Sequence, residues 1–305
     1  MTILHRERQV DAKLVGGLGN QLFVYFAALY LAHRHNCALK IDLTDISQSH
    51  ARSNIQSFAL CGQIKRQDSR IRTVSRLYNR LTLSINYRIP TLARAVRINK
   101  YILLDSGYET LSKIERIDNH VSIRGYFQDF RYLDYLIVNR LFQLSLTNPS
   151  PKYKEKFEEI EHADILGIHV RRGDFVLESK THGCLTVDWY ERAVEEAIQN
   201  GQFNKVLVFT NDREWCLANI SPIARKFKLE IEYPEDEFTV GPAESLCLMT
   251  ACKGLITANS TFSLLAGYFC MGKVYSPSIL NIMGNFQDLE YSRPHRWKLI
   301  ESDWE

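Results

Sequence analysis

The chain lacks the features that would take it out of the class of ordinary globular proteins. It has no C-x-x-C and no D-x-D, and its seven cysteines (37, 61, 184, 216, 247, 252 and 270) are odd in number and scattered. A disulfide framework or a zinc ribbon needs paired, regularly spaced cysteines, so free and mostly buried thiols in a reducing compartment are expected. Long apolar runs are missing too: the longest, residues 22–32, is about half of the ~20 residues that span a bilayer. The opening MTILHRERQVDAK is charged where a secretory leader is apolar. A cytoplasmic location is expected, at most peripheral to the inner membrane. Charge of one sign is also lacking, with Lys plus Arg at 38 against Asp plus Glu at 35, a balance that gives no ground for a nucleic-acid partner. No repeat or low-complexity tract is visible, and 45% hydrophobic with 24% charged residues excludes disordered, collagen-like and coiled-coil architectures.

What is present is an alternation. Residues 12–15 read as a strand, 16–20 as a glycine loop, 21–35 as an apolar helix and 38–42 as a second strand, a βαβ unit. From 165 onward strands at 165–170, 205–210, 229–233 and 254–258 alternate with helices at 188–201, 213–227, 242–252 and 261–269. That pattern means doubly wound parallel sheets, and 305 residues at roughly 150 per domain suggest two of them. Asn148-Pro149-Ser150-Pro151 cannot continue a helix and reads as the linker between domains 1–150 and 151–305. Two Rossmann-like halves facing a central cleft would place a ligand where strand carboxyl ends meet. Residues 45–120 carry a weaker pattern.

Chemistry concentrates at strand-to-helix junctions. In Gly16-Gly17-Leu18-Gly19-Asn20-Gln21, the glycines Gly17 and Gly19 let backbone approach a phosphate, and Asn20 and Gln21 open a helix whose N–H groups favour an anion. A dinucleotide fingerprint needs Gly or Ala where Leu22 stands, although Asp42 sits where a ribose-binding acid would; a nicotinamide-dependent oxidoreductase and a simple tight turn stay open as alternatives. In His169-Val170-Arg171-Arg172-Gly173-Asp174, alternation puts His169 and Arg171 on one side of the strand and Arg172 on the other. Arg171 is expected to face the cleft, and Arg172 to form a structural ion pair with Asp174. Asn259, Ser260 and Thr261 open a third helix and either cap it or bind an anion. Asp212, ending Phe209-Thr210-Asn211-Asp212, either accepts from a guanine or caps the next helix. The acidic run Glu235-Asp236-Glu237 reads as a solvated loop. With no D-x-D, a diphosphate leaving group would be neutralised by arginine and helix ends, so neither metal nor resident cofactor is expected.

GGLGNQLF, Gly125-Tyr126-Phe127-Gln128, HVRRGD, FTND and ANSTFS, in this order over about residues 13–270, resemble the α1,2-fucosyltransferases of glycosyltransferase family eleven. The resemblance implies a GT-B fold with an N-terminal acceptor-side domain and a C-terminal GDP-fucose-binding domain. It implies GDP-fucose as donor, a β-galactoside oligosaccharide acceptor taking fucose on its 2-hydroxyl, inversion, and no metal. By the same resemblance Arg171 holds the β-phosphate with His169 beside the nucleotide. Asn20, Ser260 and Thr261 approach phosphates, and Asp212 falls near a guanine-binding acid. Family members commonly carry two tryptophans where this chain has Leu264 and Leu265. A fucosyltransferase of another linkage remains an alternative.

A general base for the acceptor hydroxyl is expected among Asp174, Glu178 and His182, just beyond the arginine motif. Between Lys65 and Lys100 stand ten Lys or Arg and one acid, Asp68, with Arg72, Arg76 and Arg80 every fourth residue and Leu77 and Leu81 between. This reads as a solvated helix face, as a dock for an anionic membrane, or as a polyanion-binding surface of a non-catalytic protein.

Overall fold

The computed structural model describes residues 8–43, 46, 55–65, 100–104, 107–118, 120–234, 241–283 and 287–305. Residues 66–99 of the basic stretch, with Arg72, Arg76, Arg80, Leu77 and Leu81, lie outside these, as does Glu235-Asp236-Glu237. The described residues fall in two compact units, Met1–Ala51 with Leu60–Gln143, and Arg52–Ala59 with Leu144–Glu305.

The first unit contains β1 (Gln9–Lys13), α1 (Leu18–Arg34), β2 (Ala38–Asp42), β3 (Gln63–Lys65), β4 (Lys100–Leu104), α2 (Tyr108–Ser112), β5 (His120–Arg124) and α3 (Phe130–Val138). Its sheet runs β3-β2-β1-β5-β4 with every pairing parallel. Strand β1 therefore sits in the middle, beside β5, the last described strand of this sheet. The strand expected at 12–15 begins earlier, at Gln9, and the helix begins at Leu18, because Gly16 turns the chain at φ +70°. Helix α1 is apolar on nearly every face because it packs on β1, β2 and β5 and is covered by α3. Phe23 meets Phe130 at 5.4 Å and Phe26 meets Phe142 at 4.9 Å, both edge to face.

The second unit contains α4 (Pro151–Glu161), β6 (Ile165–Val170), α5 (Asp174–Leu177), α6 (Val187–Asn200), β7 (Lys205–Thr210), α7 (Arg213–Lys226), β8 (Glu230–Glu232), α8 (Pro242–Ala251), β9 (Gly254–Ile256), α9 (Thr261–Phe269), β10 (Lys273–Pro277), α10 (Gln287–Tyr291) and β11 (Lys298–Ile300). The parallel order is β11-β10-β9-β6-β7-β8. Read from β8, this is the 3-2-1-4-5-6 winding of dinucleotide-binding folds, with its reversal between β6 and β9. Strand β6 is buried along its whole length, His169 included. Asn148-Pro149-Ser150-Pro151 lies inside this unit and starts a helix. Ser150 caps α4 by accepting from the Tyr153 N–H at 3.1 Å, with Pro151 in the first turn, and the Glu244 carboxylate accepts from the Ser150 N–H at 2.6 Å.

Phe26 is fully buried and ringed by Phe23, Tyr25 and Phe142. Urea denaturation of Phe26→Ala is expected to show a loss of ~3–5 kcal/mol in the transition of the first unit, the cost of a large aromatic cavity.

Candidate active site

Neighbouring strand ends in each sheet bring together motifs that are far apart in sequence. In the first unit, Gly16 to Gln21 leave the carboxyl end of β1 and Gly125 to Gln128 leave that of its neighbour β5. Gln128 Nε2 donates to Asn20 Oδ1 at 2.9 Å, and Gln21 Nε2 donates back to the Gly16 carbonyl at 2.8 Å. Gly16 must be glycine here, since a Cβ would stand 2.8 Å from Asn20 Nδ2. Phe127, buried and non-glycine, is held at φ +48° directly before Gln128. Gly17 precedes the first turn of α1 with open space at its Cα, and no side chain caps that helix end. The position a dinucleotide fingerprint reserves for a small residue is filled by Leu22, buried in the core.

In the second unit, HVRRGD leaves β6 and ANSTFS leaves β9, the two strands at the reversal. His169 is buried, with its ring 5.6 Å from that of Phe262 on α9. Desolvation, and secondarily the Arg171 charge, lower its pKa from 6.5 to about 3, so it is a neutral imidazole near pH 7. Arg171 Nη2 donates to Asp174 Oδ2 at 2.7 Å, and its guanidinium stands 5.3 Å from the Phe175 ring centroid.

The two arginines take different partners, and the partner of Asp174 is not the one expected from sequence. Asp174 pairs with Arg171, not with Arg172. Gly173, at φ +39°, folds the chain back so that Asp174 meets the side of the strand that bears Arg171. Arg172 is structural, but through other partners: Nη1 donates to Glu305 Oε2 at 2.7 Å, Nε lies 3.5 Å from Asp212 Oδ2, and the guanidinium covers the Trp215 ring at 4.3 Å. Its backbone N–H donates to Asn211 Oδ1 at 2.9 Å.

Asp212 caps α7 by accepting from the Trp215 N–H at 3.2 Å while facing Arg172. Ser260 caps α9 by accepting from the Phe262 N–H at 3.4 Å, and Thr261 is the first residue of that helix. Asn259 donates from Nδ2 to the carbonyls of His182 and Gly183 at 3.0 and 3.2 Å. His182 Nε2 lies 3.1 Å from Glu178 Oε2, one helical turn away. Leu264 and Leu265, where the family commonly has tryptophans, are both buried.

Several polar atoms at this junction are buried without a hydrogen-bond partner: His169 Nδ1, Arg171 Nε, His182 Nδ1 and Asn259 Oδ1. Unsatisfied groups are costly, and here they fall on His169 and Arg171 of the one motif, on Asn259 of the other and on His182 bonded to it, where a bound ligand could partner them. Phe175, Asn211, Phe262 and Glu305 complete the arrangement and were not singled out from sequence. Only Phe175, four residues beyond Arg171 across a glycine turn, left a readable signal. Among the described residues no three His, Cys, Asp or Glu come together so as to hold a metal ion, and no helix is long and apolar enough to cross a membrane.

The profile of glycosyl transferase family 11 matches residues 9–288. An O-antigen biosynthesis glycosyltransferase of Escherichia coli, WbnK, is 30% identical over 280 residues, 82% of this chain and 86% of that protein. An alpha-1,2-colitosyltransferase of Escherichia coli is 27% identical over 271 residues, 83% of this chain and 85% of that protein. The α1,6-fucosyltransferase NodZ of Bradyrhizobium, in a crystal soaked with GDP-fucose, superposes with a TM-score of 0.52 at 17% identity, over 86% of this chain and 92% of that one. At that identity the likeness is one of fold, and the fold is GT-B with two Rossmann-like units. A glycosyltransferase family displaces the nicotinamide reading of the first glycine loop.

The buried imidazole sets a pH dependence. Because the folded pKa of His169 is depressed, the unfolded chain takes the proton first as pH falls. The associated stability is present above 6.5 and is lost on descending toward 3, at up to ~1.4 kcal/mol per pH unit. Urea titrations at pH 7 and pH 5 are expected to show the wild type losing about 2 kcal/mol more than His169→Gln. Equal losses would remove His169 as the source.

Proposed function

Because the chain belongs to glycosyl transferase family 11, we propose that it transfers fucose from GDP-fucose to the 2-hydroxyl of a terminal β-galactose, with inversion and without a metal ion. The observation that carries this reading is the convergence of HVRRGD and ANSTFS at one sheet reversal, with Arg171 beside a helix start and polar atoms left unpartnered. Similarity to an α1,2-transferase of colitose and to an O-antigen glycosyltransferase supports a deoxysugar donor and an oligosaccharide acceptor.

In the proposed reaction the acceptor oxygen attacks the fucose anomeric carbon from the face opposite GDP. The bond from that carbon to the β-phosphate oxygen breaks, its electron pair leaves with GDP, and the hydroxyl proton passes to a carboxylate. Arg171 takes the charge that develops on the β-phosphate, and the helix start at Ser260 adds backbone donors. His169, being neutral, can contact the nucleotide without competing for its charge. Within the second unit Asp212, Asn259 and Thr261 would complete the donor contacts. Asp174 and Glu178 are the exposed carboxylates on the loop that follows Arg171. From charge alone, residues 65–100 are further proposed to dock on an anionic membrane.

The primary test is GDP release from GDP-fucose with excess EDTA across a panel of β-galactosides, a colitosyl donor run in parallel, followed by linkage analysis. Acceptor-dependent release of GDP from GDP-fucose, unaffected by EDTA and giving an α1,2 product, is the expected result; no release and no GDP binding would sink the donor site. Arg171→Ala is expected to cost at least ~10²-fold in kcat. One of Asp174→Asn and Glu178→Gln is expected to lower kcat by ~10²–10⁴-fold; full turnover by both would move the base elsewhere. Vesicles with anionic lipid should carry the protein on flotation while neutral vesicles do not.

A further inference from the structure

We propose that Phe175 and His182 form a stacked support that aims the Arg171 guanidinium, and that His182 is a positioning residue and not the proton acceptor. The proposal rests on the donor-site reading above.

Arg171 is poorly fixed by its ion pair alone. Its partner Asp174 is 55% exposed, and an exposed carboxylate neither holds a guanidinium plane firmly nor resists exchange with water. The Phe175 ring supplies what the carboxylate does not. It lies 5.3 Å from the guanidinium carbon, within cation–π distance, and 4.7 Å from the His182 ring at an interplanar angle of 16°, a face-to-face stack. A planar cation held against a ring has its fork direction set before any diphosphate arrives.

His182 is in turn held by contacts to its ring and to its carbonyl. Nε2 is engaged by Glu178 at 3.1 Å, Nδ1 is buried without a partner, and one ring face lies on Phe175. Its carbonyl accepts from Asn259 Nδ2 at 3.0 Å, with the Gly183 carbonyl taking the second bond at 3.2 Å. A general base must present a ring nitrogen to the hydroxyl it deprotonates; Nε2 lies against Glu178, and Nδ1 is buried from solvent. The flat face is the part in use. Asn259 thereby runs a continuous line of contacts from the start of α9, through His182 and Phe175, to Arg171. The third motif reaches the arginine without touching it.

The test measures donor kcat/KM, the pH profile of kcat and GDP affinity by titration calorimetry. Phe175→Leu, Phe175→Tyr, His182→Ala and His182→Phe are each compared in wild type and in Arg171→Lys. Phe175→Leu and His182→Ala are each expected to cost about tenfold in donor kcat/KM. Phe175→Tyr and His182→Phe should recover most of that loss, with the pH profile unmoved. On the Arg171→Lys background the same losses should shrink to less than about twofold, since the support has no guanidinium plane left to aim. Losses that add undiminished, or a His182→Phe variant as poor as His182→Ala that also loses a limb of the pH profile, would overturn the proposal and leave the donor site standing. A wild type that binds no GDP would overturn both.

Discussion

A parallel sheet sends every connection over its faces, and where the winding reverses, two adjacent strands dispatch their chains in opposite directions. A gap opens there that no hairpin can close, edged by loop backbone and helix starts. In this protein that constraint operates beside β6 and β9, where the arginine motif and the 258–263 junction leave the sheet. The glycine loop and Gly125 to Gln128 leave the adjacent strands β1 and β5 of the other sheet, and the Asn211-Asp212 turn leaves β7. Polar groups that would be errors in a core, among them a neutral buried histidine and a partly buried arginine, are tolerated where the fold already leaves room for a ligand.

Adjacent arginines show how sharply a strand separates roles. Arg172 is locked by Glu305, Asp212 and the Trp215 ring, all drawn from later parts of the chain, and it joins β6 to the start of α7. Arg171, one residue earlier and on the opposite side, pairs among the described residues with its own next turn, Asp174 and Phe175. One is tied by long-range contacts and the other by local ones, and local ones are the kind that a ligand can rearrange at small cost.

The alternation of strand and helix was legible because buried parallel strands are short, apolar and β-branched, and those at 38–42, 165–170 and 205–210 begin and end where the sequence places them. The middle strands were not: β3 and β4 carry polar and charged residues such as Gln63, Lys65 and Lys100 at their ends, and lie on the two edges of the sheet. Asn148-Pro149-Ser150-Pro151 reads as a linker because Pro forbids a helix interior, and Ser150-Pro151 is also a cap followed by a first turn, with the Glu244 carboxylate accepting from the Ser150 N–H. At the site, residue types at strand ends were readable, while partner choice was not. Whether Asp174 meets Arg171 or Arg172 depends on a single positive φ at Gly173, a quantity that no spacing rule contains.

One feature of the second unit bears on how such a protein is made and inherited. Residues 55–59 belong with that unit: Phe58 bridges Leu146, the Ala59 N–H donates to the Ser145 carbonyl, and Thr147 Oγ1 donates to the Ser57 carbonyl, 90 residues back along the chain. During synthesis this short piece leaves the ribosome long before its partners and must wait, unsheltered, while the whole remainder of the first unit is translated. For the same reason the gene has no single point at which one module ends and the other begins. An ancestral exchange of donor-binding halves between relatives would have needed two crossovers, or would have left the recipient to rebuild the borrowed stitch by mutation.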